Sequence, residues 1–198
     1  MSQPVWAVTG SPGDKMESEG TTIMQELRED HCNMAVILDL LDDVLGMASS
    51  GKDPNFQLLA EIMRYMTVYS DAVHHPKEDI VYERLLSKRA DVAEGLDDVT
   101  EDHRAIAELS SRLRDDVEAV IAGAAVRRQK LIEDASAYVT RLRAHMQWEE
   151  GDLFNRIDSM LEAEPMEFDV SQYAHVREPV FELQVDDELE RLVSSMRP

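Results

Sequence analysis

The stretches His74-His75-Pro76-Lys77-Glu78-Asp79 and His145-Met146-Gln147-Trp148-Glu149-Glu150 share one pattern, a histidine four residues before a glutamate. On an α-helix that spacing stacks His74 with Glu78, and His145 with Glu149, on one face about one turn apart. Working outward, the triplet Glu29-Asp30-His31 precedes the first stretch and Glu101-Asp102-His103 the second. His31 and His103 are 72 positions apart, and His74 and His145 are 71 apart. An aromatic residue follows each stretch, Tyr82 four residues after Glu78 and Phe154 five after Glu149. The chain therefore reads as two repeated helical hairpins, an all-α, up-down-up-down four-helix bundle.

Helical periodicity supports this. The first helix is expected from Thr22, an N-cap with Gln25 completing a capping box, and its apolar seam Met24, Leu27, Met34, Leu38, Leu41, Leu45 is interrupted only by His31. The second is expected from Asp53-Pro54, with Leu59, Met63, Thr67, Ser70, His74, Glu78, Val81 and Leu85 inward. Pro76 cannot donate to the carbonyl of Ala72, so a local kink is predicted there. The third is expected from Asp91, capped with Glu94, through Gly95 and along Leu96, Val99, His103, Ile106 and Leu113. The fourth carries Leu131, Ala135, Tyr138, Leu142, His145, Glu149, Leu153 and Ile157 on one face. These divisions give a flexible N-terminal lead over residues 1–21, the bundle over 22–160, and a C-terminal tail over 161–198 with a short helix from Asp187 to Met196.

In antiparallel neighbours two residues share a level when the turn lies midway between them. The midpoint of His31 and His74 falls between Lys52 and Asp53, that of His74 and His103 between Lys88 and Arg89, and that of His103 and His145 at Ala124. Each lies at a predicted turn, and one residue of error shifts the level by only about 1.5 Å. The four histidines thus form one layer. A single histidine on an apolar seam is ordinarily a hydrogen-bonded core residue. Four imidazoles and two carboxylates in one buried layer would cost several kcal/mol for each ionised group left without a strong partner. A metal centre held by His31, His74, Glu78, His103, His145 and Glu149 removes that cost. Nitrogen and oxygen donors suit iron or manganese, and spacing alone leaves zinc open.

This order of motifs resembles the haemerythrin-like (HHE cation-binding) domain over roughly residues 22–160. The resemblance implies a non-haem di-iron site with those six residues as ligands, both glutamates bridging, and a bridging oxide or hydroxide beside them. The oxygen-carrying members have a further histidine one turn after that of the third helix, where this chain has Ala107, and a carboxylate five rather than four residues after the last histidine. The four-histidine, two-glutamate set looks more like bacterial proteins of iron-centre repair and nitric oxide stress and like eukaryotic iron-sensing domains. The expected function is binding of O₂ or NO for sensing or stress response, a binding role rather than an enzymatic one. The alternatives are iron homeostasis (storage, donation or iron-centre repair) and turnover of peroxide or NO at the same centre.

Other residues near the motifs carry weaker readings. Ala35 and Ala107, one turn beyond His31 and His103, either leave room for a small ligand or are small core residues. Tyr138 is either a donor to a bound ligand or a core aromatic. His75, about 100° round from His74, reads as an interhelical hydrogen-bonder rather than a ligand, and His175 as a structural or exposed residue of the tail. Asp30, Asp79, Asp102 and Glu150 are either solvated acids or partners that orient the ligands.

Composition bounds the rest. The 198 residues include 20 basic and 41 acidic ones, a net charge of −21. Such a surface repels phosphate backbones, so no nucleic acid partner is expected. Cys32 is the single cysteine, which precludes an intrachain disulfide. No run of about 18 apolar residues is present, so no membrane span is expected. The N-terminus lacks the pattern of a signal peptide, and a cytoplasmic location is expected. The oligomeric state is left open.

Overall fold

The computed structural model of the chain describes residues 12–88 and 95–173, and these are helical with no strand. Helix α1 spans Pro12–Ser49. The second arm of the bundle is composite, with α2 (Phe56–Tyr65), a π-helical segment (Met66–His74) and α3 (His75–Lys88) in line. The third arm is α4 (Leu96–Ile121). The fourth joins α5 (Arg128–Trp148), a π-helical segment (Glu149–Leu153) and α6 (Phe154–Ala163). Helix α1 packs on the second and fourth arms, and α4 packs on the same two, which closes a four-helix bundle. The arms turn at residues 50–55 and 122–127, where the midpoints predict.

Three helix starts differ from expectation. Helix α1 runs through Thr22 from Pro12, because a capping sequence does not itself end a helix and Gly20 costs only about 1 kcal/mol in its interior. Residues 1–11 of the expected lead, with Trp6, lie outside the described residues. Helix α2 is capped by Asn55 rather than by Asp53, the Asn55 side chain accepting from the N–H of Leu58 at 3.0 Å. Pro54 instead sits buried in the turn before it. At α4 the expected cap of Asp91 and Glu94 lies outside the described residues, and Gly95 stands at the N-cap with φ +88° instead of inside the first turn. The left-handed region costs a residue with a Cβ about 1–2 kcal/mol, which explains a glycine there.

The distortion predicted at Pro76 takes the form of the π segment before it. The N–H of His75 bonds to Ser70 O, five residues back, and the wider turn moves the backbone off the proline ring.

A polar layer divides the core in two. On one side Met34, Leu38, Leu41, Leu59, Met63, Leu113 and Leu142 pack near the turns at residues 50–55 and 122–127. On the other, Met24, Leu27, Val81, Leu85, Leu96, Leu153 and Ile157 pack together. Helix α6 extends three residues past the expected bundle limit, to Ala163. The following stretch folds back, burying Met166 in the second cluster with Phe168 and Val170 beside it. The expected helix Asp187–Met196, and His175, lie outside the described residues. No helix among the described residues is long and apolar enough to cross a membrane.

Gly95 also supplies a test of the packing. A Cβ there would stand 2.9 Å from Trp148 Cζ2, whereas one at Gly123, also at φ +88°, meets nothing within 4 Å. In urea denaturation Gly123→Ala should cost about 1 kcal/mol of strain alone, and Gly95→Ala at least about 2 kcal/mol, with m unchanged in both.

Candidate metal centre

His31 of α1, His74 and Glu78 of the second arm, His103 of α4, and His145 and Glu149 of the fourth arm all meet in the polar layer. Each is at most 5% exposed, and both glutamates are fully buried. His74 Nε2 lies 3.2 Å from Glu78 Oε1, and His31 Nε2 lies 3.4 Å from the same oxygen. His103 Nε2 is 3.4 Å from the other oxygen, Glu78 Oε2. Glu149 Oε2 is 3.2 Å from His145 Nε2 and 3.5 Å from His31 Nε2. Two donors about 2.1 Å from one ion and at right angles stand about 3 Å apart, so these spacings are close to those of a coordination shell.

The inward atoms also have no other use. The four Nε2 atoms, both oxygens of Glu78 and Oε2 of Glu149 are buried with no hydrogen-bond partner. Two groupings with donor atoms mutually within 4.8 Å emerge, His31, His74, Glu78 and His75, Glu78, His103, His145, and they share Glu78. Unpartnered buried donors of this type, with one carboxylate common to both groups, fit a pair of metal ions.

The outward nitrogens are all taken. His31 Nδ1 donates to Glu150 at 3.0 Å, His74 Nδ1 to Asp30 at 3.1 Å, His103 Nδ1 to Asp79 at 2.9 Å and His145 Nδ1 to Asp102 at 3.1 Å. Each bond joins neighbouring arms, so the four make a closed ring around the bundle. The four acids are therefore orienting partners and not merely solvated. Three are held through the other oxygen, Asp30 by Tyr69 at 2.9 Å, Asp102 by Arg141 at 2.7 Å and Glu150 by Arg28 at 3.6 Å, while Thr100 donates at 3.4 Å to the same Asp79 oxygen that His103 uses. A carboxylate on Nδ1 fixes the tautomer and leaves Nε2 free to ligate.

Electrostatics follow from this crowding. Burial alone pulls the His31 imidazole down, but the hydrogen bond to Glu150 and the adjacent Glu78 and Glu149 carboxylates outweigh it and raise the group to about 10. His103 is opposed in the same way by burial, yet its hydrogen bond to Asp79 and the nearby Glu149 and Glu78 carboxylates push it up to about 12. Burial disfavours the Glu78 carboxylate, but the surrounding His74, His103 and His31 hold it well below the usual range. A proton and a metal ion thus compete for the same Nε2 atoms.

His75 and Ala35 depart from the reading of the sequence, whereas Ala107, Tyr138 and Cys32 stay within it. His75 is 2% exposed, and neither ring nitrogen has a hydrogen-bond partner, so it is not an interhelical hydrogen-bonder. Its ring lies parallel to that of His103, centroids 4.4 Å apart. Ala35 is exposed, since the seam of α1 passes through Met34, and it leaves no room at the site. Ala107 faces a cleft of about 580 Å³ that reaches His75 and His103. Tyr138 is fully buried in the core, and Cys32 is exposed.

Tyr82, seen in the sequence only as a marker of the repeat, donates to Glu149 Oε1 at 2.7 Å. Its place one turn after Glu78 is the signal that could have found it. Phe154, the aromatic residue five positions after Glu149, instead stacks on His31, centroids 5.2 Å apart, with the Arg28 guanidinium 5.2 Å from the Phe154 ring centroid. The two halves of the site are therefore not equivalent.

No curated protein and no solved structure matches the chain. The family model described as Hemerythrin HHE cation binding domain matches residues 22–157, with an overlapping match over 94–175. The longer match covers well over half the chain and all six convergent residues, and this chain belongs to the hemerythrin HHE cation-binding family.

Proposed function

We propose that the chain is a non-haem di-iron protein that binds O₂ or NO in sensing or stress response. The observation that carries this reading is the set of buried donor atoms without partners on His31, His74, Glu78, His103, His145 and Glu149. In this reading His31 and His74 hold one iron, His103 and His145 hold the other, and Glu78 and Glu149 bridge them. Imidazole nitrogen with carboxylate oxygen suits iron, with manganese the nearest substitute. When bound, such a pair supplies reversible one-electron chemistry to a small ligand.

The chain's own residues set what can reach the pair. With both glutamates fully buried, a molecule larger than a diatomic or peroxide would have to displace core side chains. The cleft beside His103 is rimmed by Asp71, Asp79, Glu83 and Glu101, which favours passage of cations. Tyr82 holds Glu149 Oε1, and Phe154 keeps water from the His31 side. The depth of the donors favours a retained metal over one handed on, so sensing is preferred to iron donation.

The primary test is metal content with an optical spectrum of the purified protein, reduced and then exposed to air or to NO. Two irons and an oxo-to-iron charge-transfer band on oxidation are expected, while one zinc and a featureless spectrum would sink the proposal. Glu78→Ala or Glu149→Ala should abolish iron retention through gel filtration. Asp79→Ala or Glu150→Ala, which remove only an orienting bond, should weaken iron affinity about 10–100-fold. Equal losses in the two sets would show that the donors are wrongly assigned. Because His31 and His103 hold protons up to about 10 and about 12, iron must displace two of them. Ferrous affinity should then rise with pH, by up to about a hundredfold per unit between pH 6 and 8, and proton release should show in buffers of different ionisation enthalpy. A flat profile would contradict that competition.

A further inference from the structure

His75 shares part of the arrangement of the four convergent histidines. Each of those has Nδ1 hydrogen-bonded to a carboxylate that a second group also holds, and Nε2 buried without a partner. His75 Nδ1 faces Asp71 Oδ1 at 3.6 Å, Ser110 Oγ donates to Asp71 Oδ2, and His75 Nε2 is buried and unpartnered. The arrangement parallels that of Tyr69, Asp30 and His74, where a hydroxyl takes one carboxylate oxygen and the imidazole the other. A ring nitrogen of His75 also lies within 4.8 Å of donor atoms of Glu78, His103 and His145. The π segment ending at His74 explains how adjacent residues can both face inward, since its wider turn alters the direction of the side chains that follow.

We infer that His75 is a seventh protein ligand, binding through Nε2 the same ion as His103 and His145 and making the two metal positions unequal. This rests on the reading of a metal pair. One ion then has three imidazoles and the other only His31 and His74, with the two glutamates shared. Asp71, acting through His75, is a positioning residue.

X-ray absorption of the full chain loaded anaerobically with ferrous iron counts the imidazoles directly. Five for each pair of irons are expected. His75→Gln and His75→Phe, the second retaining a ring against His103, should each lower the count to four and weaken one of two iron affinities at least about a hundredfold in chelator competition. The other affinity should stay within about threefold. Asp71→Asn should weaken the same ion about 10–100-fold while the count stays at five. Two irons with four imidazoles in the unaltered protein, or unchanged affinities in both His75 variants, would overturn the assignment and leave the metal pair standing. A protein that takes up no metal would overturn both.

Discussion

The ring of four imidazole–carboxylate hydrogen bonds is the constraint on which the rest of the structure depends. It runs from Glu150 to His31, Asp30 to His74, Asp79 to His103 and Asp102 to His145, and each bond crosses to the next arm of the bundle. Hydrogen bonds to a charged group contribute about 1.5–3 kcal/mol each. The greater consequence is geometric. A slip of one residue moves an arm about 1.5 Å, enough to break two bonds of the ring and to withdraw a donor from the centre. Register of the bundle and register of the site are therefore a single condition. Every Nδ1 is occupied outward, so every Nε2 is presented inward.

Burying this layer is costly, and the molecule confines the cost to one level. Apolar clusters above and below supply the packing, while the layer between holds two fully buried glutamates among imidazoles. Both π segments adjoin that layer, one ending at His74 and the other beginning at Glu149. Such segments interrupt regular α-helix and recur at functional sites. Here they adjust the direction of side chains at the motif, where an unbroken 3.6-residue repeat would leave His75 about 100° away from His74.

The internal repeat makes the site nearly two-fold, and the departures from symmetry are where chemistry can differ between halves. Tyr82 hydrogen-bonds a glutamate where Phe154 stacks on a histidine. His75, deep in the bundle, corresponds to Met146 in the other half, where no second histidine stands beside His145. These differences place more imidazole rings on the His103 side of the layer and an aromatic ring against His31 on the other.

The sequence by itself determined the bundle, its up-down order and the meeting of the six donors. Those features rest on periodicities and separations, the 3.6-residue spacing of His74 with Glu78 and the turn midpoints between histidines, which survive errors of a residue or two. Helix starts were less legible: Thr22 sits inside α1 because a capping sequence permits an end without enforcing one. Asp30, Asp79, Asp102 and Glu150 could be named as candidate partners, but only packing decided which imidazole each one holds. The burial of His75, the hydrogen bond from Tyr82 and the exposure of Ala35 were likewise decided in three dimensions. The reason is that facing direction follows from local helical period, whereas contact depends on helix distance, on the π-register turn and on which neighbouring arm carries the complementary group.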